Sequence, residues 1–200
     1  MRKAGVKDYE TFCRELVASV PHRPFSFEVF SDDFDEMEHQ ALRIAGWGQN
    51  VYVKIPITNT LGQSCAPLVH RLARHGVRVN VTAIMTVDQV DSVIPALKNG
   101  PPSFVSMLAG RIADAGCDPL PSICGALTRL RNHPHIELIW ASPRELFNVI
   151  QADQIGCHII SVSHDLLAKL PLLGRDLTEF SLDSVKMFHA DARSAGFTLA

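Results

Sequence analysis

The stretch Val51-Tyr52-Val53-Lys54-Ile55-Pro56 decides the fold, because it reads as a β-strand with a lysine at its centre. Side chains alternate between the two faces of a strand, so the aliphatic residues predict a buried face and Tyr52 and Lys54 share the other. An ammonium there is costly to desolvate unless it is paired or its pKa is lowered. A lysine with a lowered pKa is a nucleophile that forms Schiff bases with carbonyl compounds. The alternative is a lysine that simply reaches solvent.

The composition is that of an ordinary globular protein. The chain has 200 residues and a net charge of −2, which predicts one domain over residues 1–200 and argues against nucleic acid or a membrane surface as partner. It contains no apolar run of about 18 residues, the length that would suggest a membrane span. The five cysteines are scattered without a CxxC motif. Together with the lack of a secretory leader, this predicts free thiols and a cytoplasmic location.

Short apolar runs alternate with amphipathic segments, a pattern typical of βα units. The predicted strands are 25–30, 51–56, 79–85, 104–108, 136–142 and 157–163. The predicted helices are 8–20, 34–47, 63–75, 87–99, 121–132, 144–153, 165–170 and 182–194. Gly76 and Gly100 are predicted to end helices in a left-handed conformation. A strand followed each time by a helix predicts a parallel sheet, either doubly wound or closed as a barrel.

A shared phase of polar residues favours the barrel. Polar side chains recur on one face of successive predicted strands: Ser26, Glu28, Lys54, Asn80, Thr82, Ser106 and Ser142. The opposite phase is mostly apolar, whereas a doubly wound sheet covered by helices on both faces would give continuous apolar runs. We therefore predict an α/β fold of the TIM (β/α)8-barrel type, here with six parallel βα units.

Four segments resemble the transaldolase and fructose-6-phosphate aldolase family. They are F-S-F-E-V-F around Glu28, V-K-I-P-I-T around Lys54, the stretch 76–85 and the stretch 104–112. The resemblance implies an (α/β)8 barrel in which Lys54 forms a Schiff base with the C2 carbonyl of a ketose phosphate. The carbon–carbon bond beside C4 then breaks, and a dihydroxyacetone unit stays on the lysine until it passes to an aldose phosphate or is released to water.

The resemblance also implies roles for neighbouring residues. Glu28 is expected to supply the proton for the departing hydroxyl, Thr82 to orient a water molecule, and Asn80 to bind substrate hydroxyls. A plain ion pair between Glu28 and Lys54 is the alternative.

Ser106, Arg111, Ser142 and Arg144 match the part of the family that holds the substrate and its phosphate. Pro143 stands where the family has an aromatic residue, and Arg144 could instead be a solvated residue in the first turn of a helix. The acidic run 32–36 is expected in the first turn of a helix. His133 and His135 lack partner ligands. We therefore expect no metal and no cofactor.

The chain departs from the family in two respects. Its opening residues are similar to the segment that follows the second barrel strand, which predicts a barrel truncated at its amino end, little catalysis and association through exposed strand edges. Leu108 stands where aldolases have tyrosine, which favours transfer of the dihydroxyacetone unit over its release to water.

A fructose-6-phosphate-type aldolase, a phosphosugar-binding remnant and a lyase acting on unphosphorylated sugars are the alternatives. A homo-oligomer is expected by resemblance.

Overall fold

The computed structural model describes residues 5–196, so the first four residues of the opening segment lie outside the described part. The described chain forms two compact units, divided between Val162 and Ser163. The single domain expected over residues 1–200 stays a prediction. No helix within residues 5–196 is long and apolar enough to cross a membrane.

The larger unit is a parallel sheet of six strands, in which every strand pairs with the next one in the chain. The strands are β1 Phe25–Glu28, β2 Val51–Pro56, β3 Val79–Ile84, β4 Ser103–Met107, β5 Ile136–Trp140 and β6 Ile159–Ile160. The sheet curls into a half-barrel, with β1 and β6 at its two edges. This confirms the prediction of an incomplete TIM barrel.

Seven helices of the described chain belong to this unit, one before the first strand and the others after strands β1 to β5, and they lie on the outer face of the sheet. They are α1 Tyr9–Ser19, α2 Phe34–Ala45, α3 Ala66–Arg74, α4 Val87–Leu97, α5 Ala109–Asp114, α6 Leu120–Leu130 and α7 Phe147–Gln154. The second unit holds α8 His164–Leu167, a 3-10 turn at Leu170–Leu172 and α9 Leu177–Ala195. The six-residue α5 was not predicted, since it is too short to show a periodic apolar face.

Side-chain caps explain where two of the helices begin. Thr86 and Gln89 form a reciprocal capping box at the start of α4. Asp33 caps α2, and Asp35 and Glu36 lie in its first turn, as the acidic run predicted.

Of the two glycines expected to end helices, Gly76 is left-handed with φ 76° and Gly100 is not. α4 does end just before Gly100, but the left-handed conformation expected there was wrong. Its lack of a side chain serves close packing instead, because a Cβ at Gly100 would lie 2.9 Å from the Cβ of Ala73.

Two apolar clusters lie on opposite faces of the sheet. The main core lies between the strands and the helices and contains Val53, Val81, Val105 and Leu138, all fully buried. A small second cluster of Tyr52, Phe104, Ile139 and Ala141 lies on the inner face. Tyr52 stacks on Phe104 with ring centroids 3.9 Å apart. Lys54 thus stands one step beyond an apolar layer, towards the carboxyl ends of the strands.

Candidate active site

Lys54 and Glu28 come together because β1 and β2 are parallel and in register. Glu28 pairs with Lys54 across the two strands, and residues at paired positions point to the same face. The Lys54 Nζ lies 3.4 Å from a Glu28 carboxylate oxygen. The Lys54 side chain is 32% exposed and that of Glu28 is 50% exposed. The pair is therefore open to solvent on one side, which admits both a substrate and water.

Tyr9 of α1 lies close to the Glu28 end of this pair. Burial raises the pKa of its phenol to about 12, and the negative charges of Cys13 and Glu28 add to that rise. The ring packs edge-on against Phe30 and Trp47, with centroids 5.3 and 5.8 Å away. Tyr9 therefore stays neutral at physiological pH.

A hydrogen-bonded row crosses three strands beside Lys54. The Asn80 Nδ2 donates to the Ser26 hydroxyl at 3.0 Å, and the Ser106 hydroxyl donates to the Asn80 Oδ1 at 2.7 Å. Both ends of the Asn80 amide are therefore hydrogen-bonded, each to a serine hydroxyl, a group that can donate or accept. One hydrogen on Nδ2 remains for a ligand.

These side chains line one cavity of about 300 Å³, which we call the Lys54 cavity. Its lining consists of Ser26, Lys54, Asn80, Thr82, Ser106, Leu108, Ile139, Ala141, Ser142 and Ser161. Hydroxyl and amide groups make one part of the wall, and three apolar side chains make another. Such a wall suits a small polyhydroxylated carbonyl compound.

Ser142 reaches this cavity for a different reason from the one that the sequence predicted. Ile139 and Ala141 belong to the inner cluster, so strict alternation would turn Ser142 towards the helices. Ser142 instead has a left-handed backbone with φ 57° just after β5, and it lines the cavity together with Ala141. The alternation expected from the sequence was wrong at this position.

Arg144 is already partnered in this structure. Its Nε donates to one Asp114 oxygen at 3.0 Å and its Nη2 pairs with the other. Its backbone N–H donates to the Asn148 side chain at 2.8 Å. Arg144 is thus fixed at the carboxyl end of β5, beside Ser142. A bound phosphate would meet the donors that Asp114 leaves free.

Arg111 lies on α5, at the same end of the sheet, and it is exposed. The lining of the Lys54 cavity, as far as the described residues define it, does not include Arg111 or Arg144. Their part in phosphate binding therefore stays a prediction, as do the roles expected for Lys54, Glu28, Thr82, Asn80, Ser106 and Ser142.

The sequence reasoning missed Ser161, Ile139 and Ala141 as lining residues. A weak signal was present for Ser161, since it shares one face of the last predicted strand with Ile159, and a polar residue on that face fits the pattern of the other strands. β6 is only two residues long, and Ser161 follows it.

Of the two histidines considered as metal ligands, His135 has a backbone contact in this structure. The His135 Nε2 lies 3.2 Å from the Leu97 carbonyl oxygen. Within residues 5–196, no group of three histidine, cysteine or acidic side chains is arranged to hold a metal ion.

Fold and site together define a protein of the (β/α)-barrel class with a lysine–carboxylate pair on the inner face. The profile of the transaldolase/fructose-6-phosphate aldolase family matches residues 6–199. The chain belongs to this family.

Similar proteins agree with that membership. A probable transaldolase of Dehalococcoides mccartyi is 31% identical over 185 residues, which cover 90% of this chain and 82% of that protein. A probable transaldolase of Streptococcus equi subsp. equi is 34% identical over 181 residues, covering 88% of this chain and 80% of that protein.

Among solved structures, a mandelate oxidase mutant superposes with a TM-score of 0.51 at 14% identity, covering 74% of this chain and 50% of that one. A GMP reductase of Trypanosoma brucei gives 0.50 at 17% identity, covering 72% of this chain and 30% of that one. The chain spans half or less of these proteins, and at such identity they show the barrel-like fold alone.

Proposed function

We propose that this chain is a transaldolase-like enzyme that cleaves a ketose phosphate and transfers a dihydroxyacetone unit to an aldose phosphate. The observation that carries the proposal is the Lys54 amine held 3.4 Å from the Glu28 carboxylate, beside a hydroxyl-lined cavity. Family membership and relatives named probable transaldolases support it. A cytoplasmic location belongs to the same proposal.

The first half of the reaction makes an imine. Transfer of a proton from the Lys54 ammonium to Glu28 within the pair leaves a neutral amine, which adds to the C2 carbonyl and gives a carbinolamine, whose hydroxyl then leaves as water. Glu28 donates the proton that this hydroxyl needs, directly or through a water molecule oriented by Thr82. Asn80 and Ser106, already hydrogen-bonded to each other, bind the substrate hydroxyls.

The second half breaks the bond between C3 and C4. Its electron pair moves into the imine to form an enamine, the C4 hydroxyl gives its proton to the Glu28 carboxylate that the first half left ionised, and C4 leaves as an aldehyde. The enamine carbon then attacks the carbonyl of the acceptor, and hydrolysis frees Lys54. Arg111 and Arg144 are the proposed phosphate partners, because planar guanidinium groups suit bidentate binding.

Simple aldol cleavage is the second candidate. The exposure of Lys54 and Glu28 favours it, since water can reach the enamine. Leu108 in the cavity wall weighs against it, because it offers no hydroxyl to activate that water.

The decisive experiment is borohydride trapping with fructose 6-phosphate, followed by peptide mass spectrometry. A three-carbon adduct on Lys54, absent in Lys54→Met, is expected. A chain that binds the sugar phosphate yet leaves Lys54 unmodified would be a binding protein without turnover. Adding an aldose phosphate separates the two candidates, since only transfer gives a new ketose.

A further inference from the structure

Two residues other than glycine have a positive φ within residues 5–196, and both stand beside the Lys54 cavity. They are Ala83 with φ 62° and Ser142 with φ 57°. A left-handed backbone is sterically costly for residues with a side chain and persists where the surroundings impose it. Ala83 interrupts the inward and outward alternation of side chains within β3. Ser142 interrupts it just after the end of β5.

At Ala83 the interruption is a β-bulge. Val81 pairs with Val105 and Ile84 pairs with Met107, so Thr82 and Ala83 together stand opposite Ser106 alone. A bulge of this kind adds one residue to a strand and re-aims the side chains that follow it.

The bulge decides where Ile84 points. Asn80 and Thr82 are on the inner face, so strict alternation would send the Ile84 side chain inward as well. Ile84 is instead fully buried in the core between the sheet and the helices. Its backbone carbonyl still accepts a hydrogen bond from the Leu108 N–H at 2.8 Å, so pairing with β4 resumes at once.

We propose that Ala83 is a positioning residue that sets the free volume of the Lys54 cavity by turning Ile84 out of it. With a regular β3, a branched four-carbon side chain would stand one step beyond Thr82, in the space that a sugar chain needs. The bulge therefore leaves room beside Lys54 for carbonyl compounds of three or more carbons. This inference rests on the proposed function for its biological meaning, but its geometry can be tested without turnover.

The test compares two aldehydes that label lysine under cyanoborohydride, formaldehyde and glyceraldehyde. Their labelling ratio at Lys54 reports the space around the amine, because a change in amine reactivity affects both reagents alike. The exposed Lys98 and Lys169 serve as internal references. The variants are Ala83→Gly, which keeps the left-handed backbone, Ala83→Val, whose β-branched side chain disfavours it, and Ala83→Val combined with Ile84→Ser.

Ala83→Val is expected to lower the glyceraldehyde-to-formaldehyde ratio at Lys54 by about tenfold, since in a regular strand of unchanged length the Ile84 side chain turns inward and fills space next to the amine. Adding Ile84→Ser should restore the ratio, and Ala83→Gly should leave it at the original value. The ratio at Lys98 should not move. A role in stability alone would lower the melting temperature of the Ala83→Val variant and leave the ratio unchanged, which overturns the proposal.

Should Ala83→Val abolish cooperative melting, Ala83→Leu replaces it, because a side chain that is not branched at Cβ disfavours the left-handed conformation less strongly. The same fall and the same rescue by Ile84→Ser are then expected, and an unchanged ratio again overturns the proposal. A wild-type chain that gives no ketose adduct while the aldehyde ratios shift as expected would remove the proposed function and leave this inference standing.

Discussion

At the scale of the residue, the pair of Lys54 and Glu28 allows a sharp test of acid catalysis. Glu28→Gln keeps the size of the side chain and removes its proton, so we expect adduct formation to slow by about 10²- to 10⁴-fold. The free energy of unfolding should change by less than about 1 kcal/mol, because half-exposed ion pairs contribute little. Single-turnover trapping and urea unfolding measure the two quantities.

Glu137→Gln is the matched control. Glu137 is at the other end of the sheet, paired with Phe104, and it lines a different cavity together with Arg78 and Tyr52. Its replacement should leave the trapping rate as it is. If Glu28→Gln also traps at the original rate, Glu28 is no more than the ion-pair partner of Lys54.

The raised pKa of Tyr9 should lower the stability of the fold at alkaline pH. Burial raises the pKa of Tyr9 from 10.0 to about 12 in the folded protein. Between these two values the unfolded chain loses the phenol proton and the folded chain keeps it, so stability falls as pH rises. Below pH 10 this loss is absent.

Urea unfolding at pH 9, 10 and 11.5 should therefore show a smaller alkaline loss of stability in Tyr9→Phe than in the original chain. The other buried tyrosine, Tyr52, is common to both proteins and cancels in the comparison. Parallel pH profiles for the two chains would show that Tyr9 titrates normally.

At the scale of the element, Gly110 is where α5 meets the turn after β5. A Cβ at Gly110 would collide with the backbone carbonyl oxygen of Ser142 and would lie 2.8 Å from the Arg144 Nε. Backbone cannot easily yield, so we expect Gly110→Ala to destabilise the fold by about 3 kcal/mol. The contact holds the left-handed Ser142 and the Arg144 side chain in place.

Gly116→Ala provides the comparison. Gly116 is left-handed with φ 79°, and a Cβ added there would meet no atom within 4 Å, so alanine should cost only about 1–2 kcal/mol at this position. Chemical denaturation of both variants gives the difference. Equal losses would mean that the turn after β5 shifts freely to make room at Gly110.

The elements that the sequence predicted well are those with a long periodic signal. The alternation around Lys54 predicted β2 to the residue, and the capping motif at Thr86 predicted the start of α4. The adjacency of Glu28 and Lys54 followed from their shared phase on neighbouring parallel strands.

The features of the site that the sequence did not predict depended on backbone geometry that composition does not encode. Ala83 and Ser142 are ordinary residues whose left-handed φ is imposed by tertiary contacts. The outward turn of Ile84 could therefore not be foreseen, and Ser142 was expected to face inward for a different reason, the regular alternation of β5. The pairing of Arg144 with Asp114 depended on α5, which is too short to be predicted from the periodicity of its apolar residues.

At the scale of the whole molecule, the half-barrel leaves two strand edges. The N–H groups of Phe25 and Val29 donate to carbonyls on the β2 side, at 2.9 and 3.2 Å. The alternate N–H groups, those of Ser26 and Glu28, therefore face the other side of β1, where the described residues supply no strand. Free edges of this kind favour association.

We accordingly expect particles of more than one chain in light scattering, with a mass that rises with concentration. Hydrogen exchange should show protection of the Ser26 and Glu28 amides that increases with concentration, because pairing covers them. The amides of β3, paired on both sides, serve as the reference and should not change. A single-chain mass together with rapid exchange at Ser26 over the whole range would contradict this expectation.

The bidentate contact between Asp114 and Arg144 has a consequence for how an anion arrives. The two charges cancel beyond a few ångströms, so a dianion diffusing towards the turn after β5 experiences little long-range pull from this guanidinium. Capture there becomes an exchange of partners at close range, and the rate of encounter at this arginine should hardly respond to ionic strength.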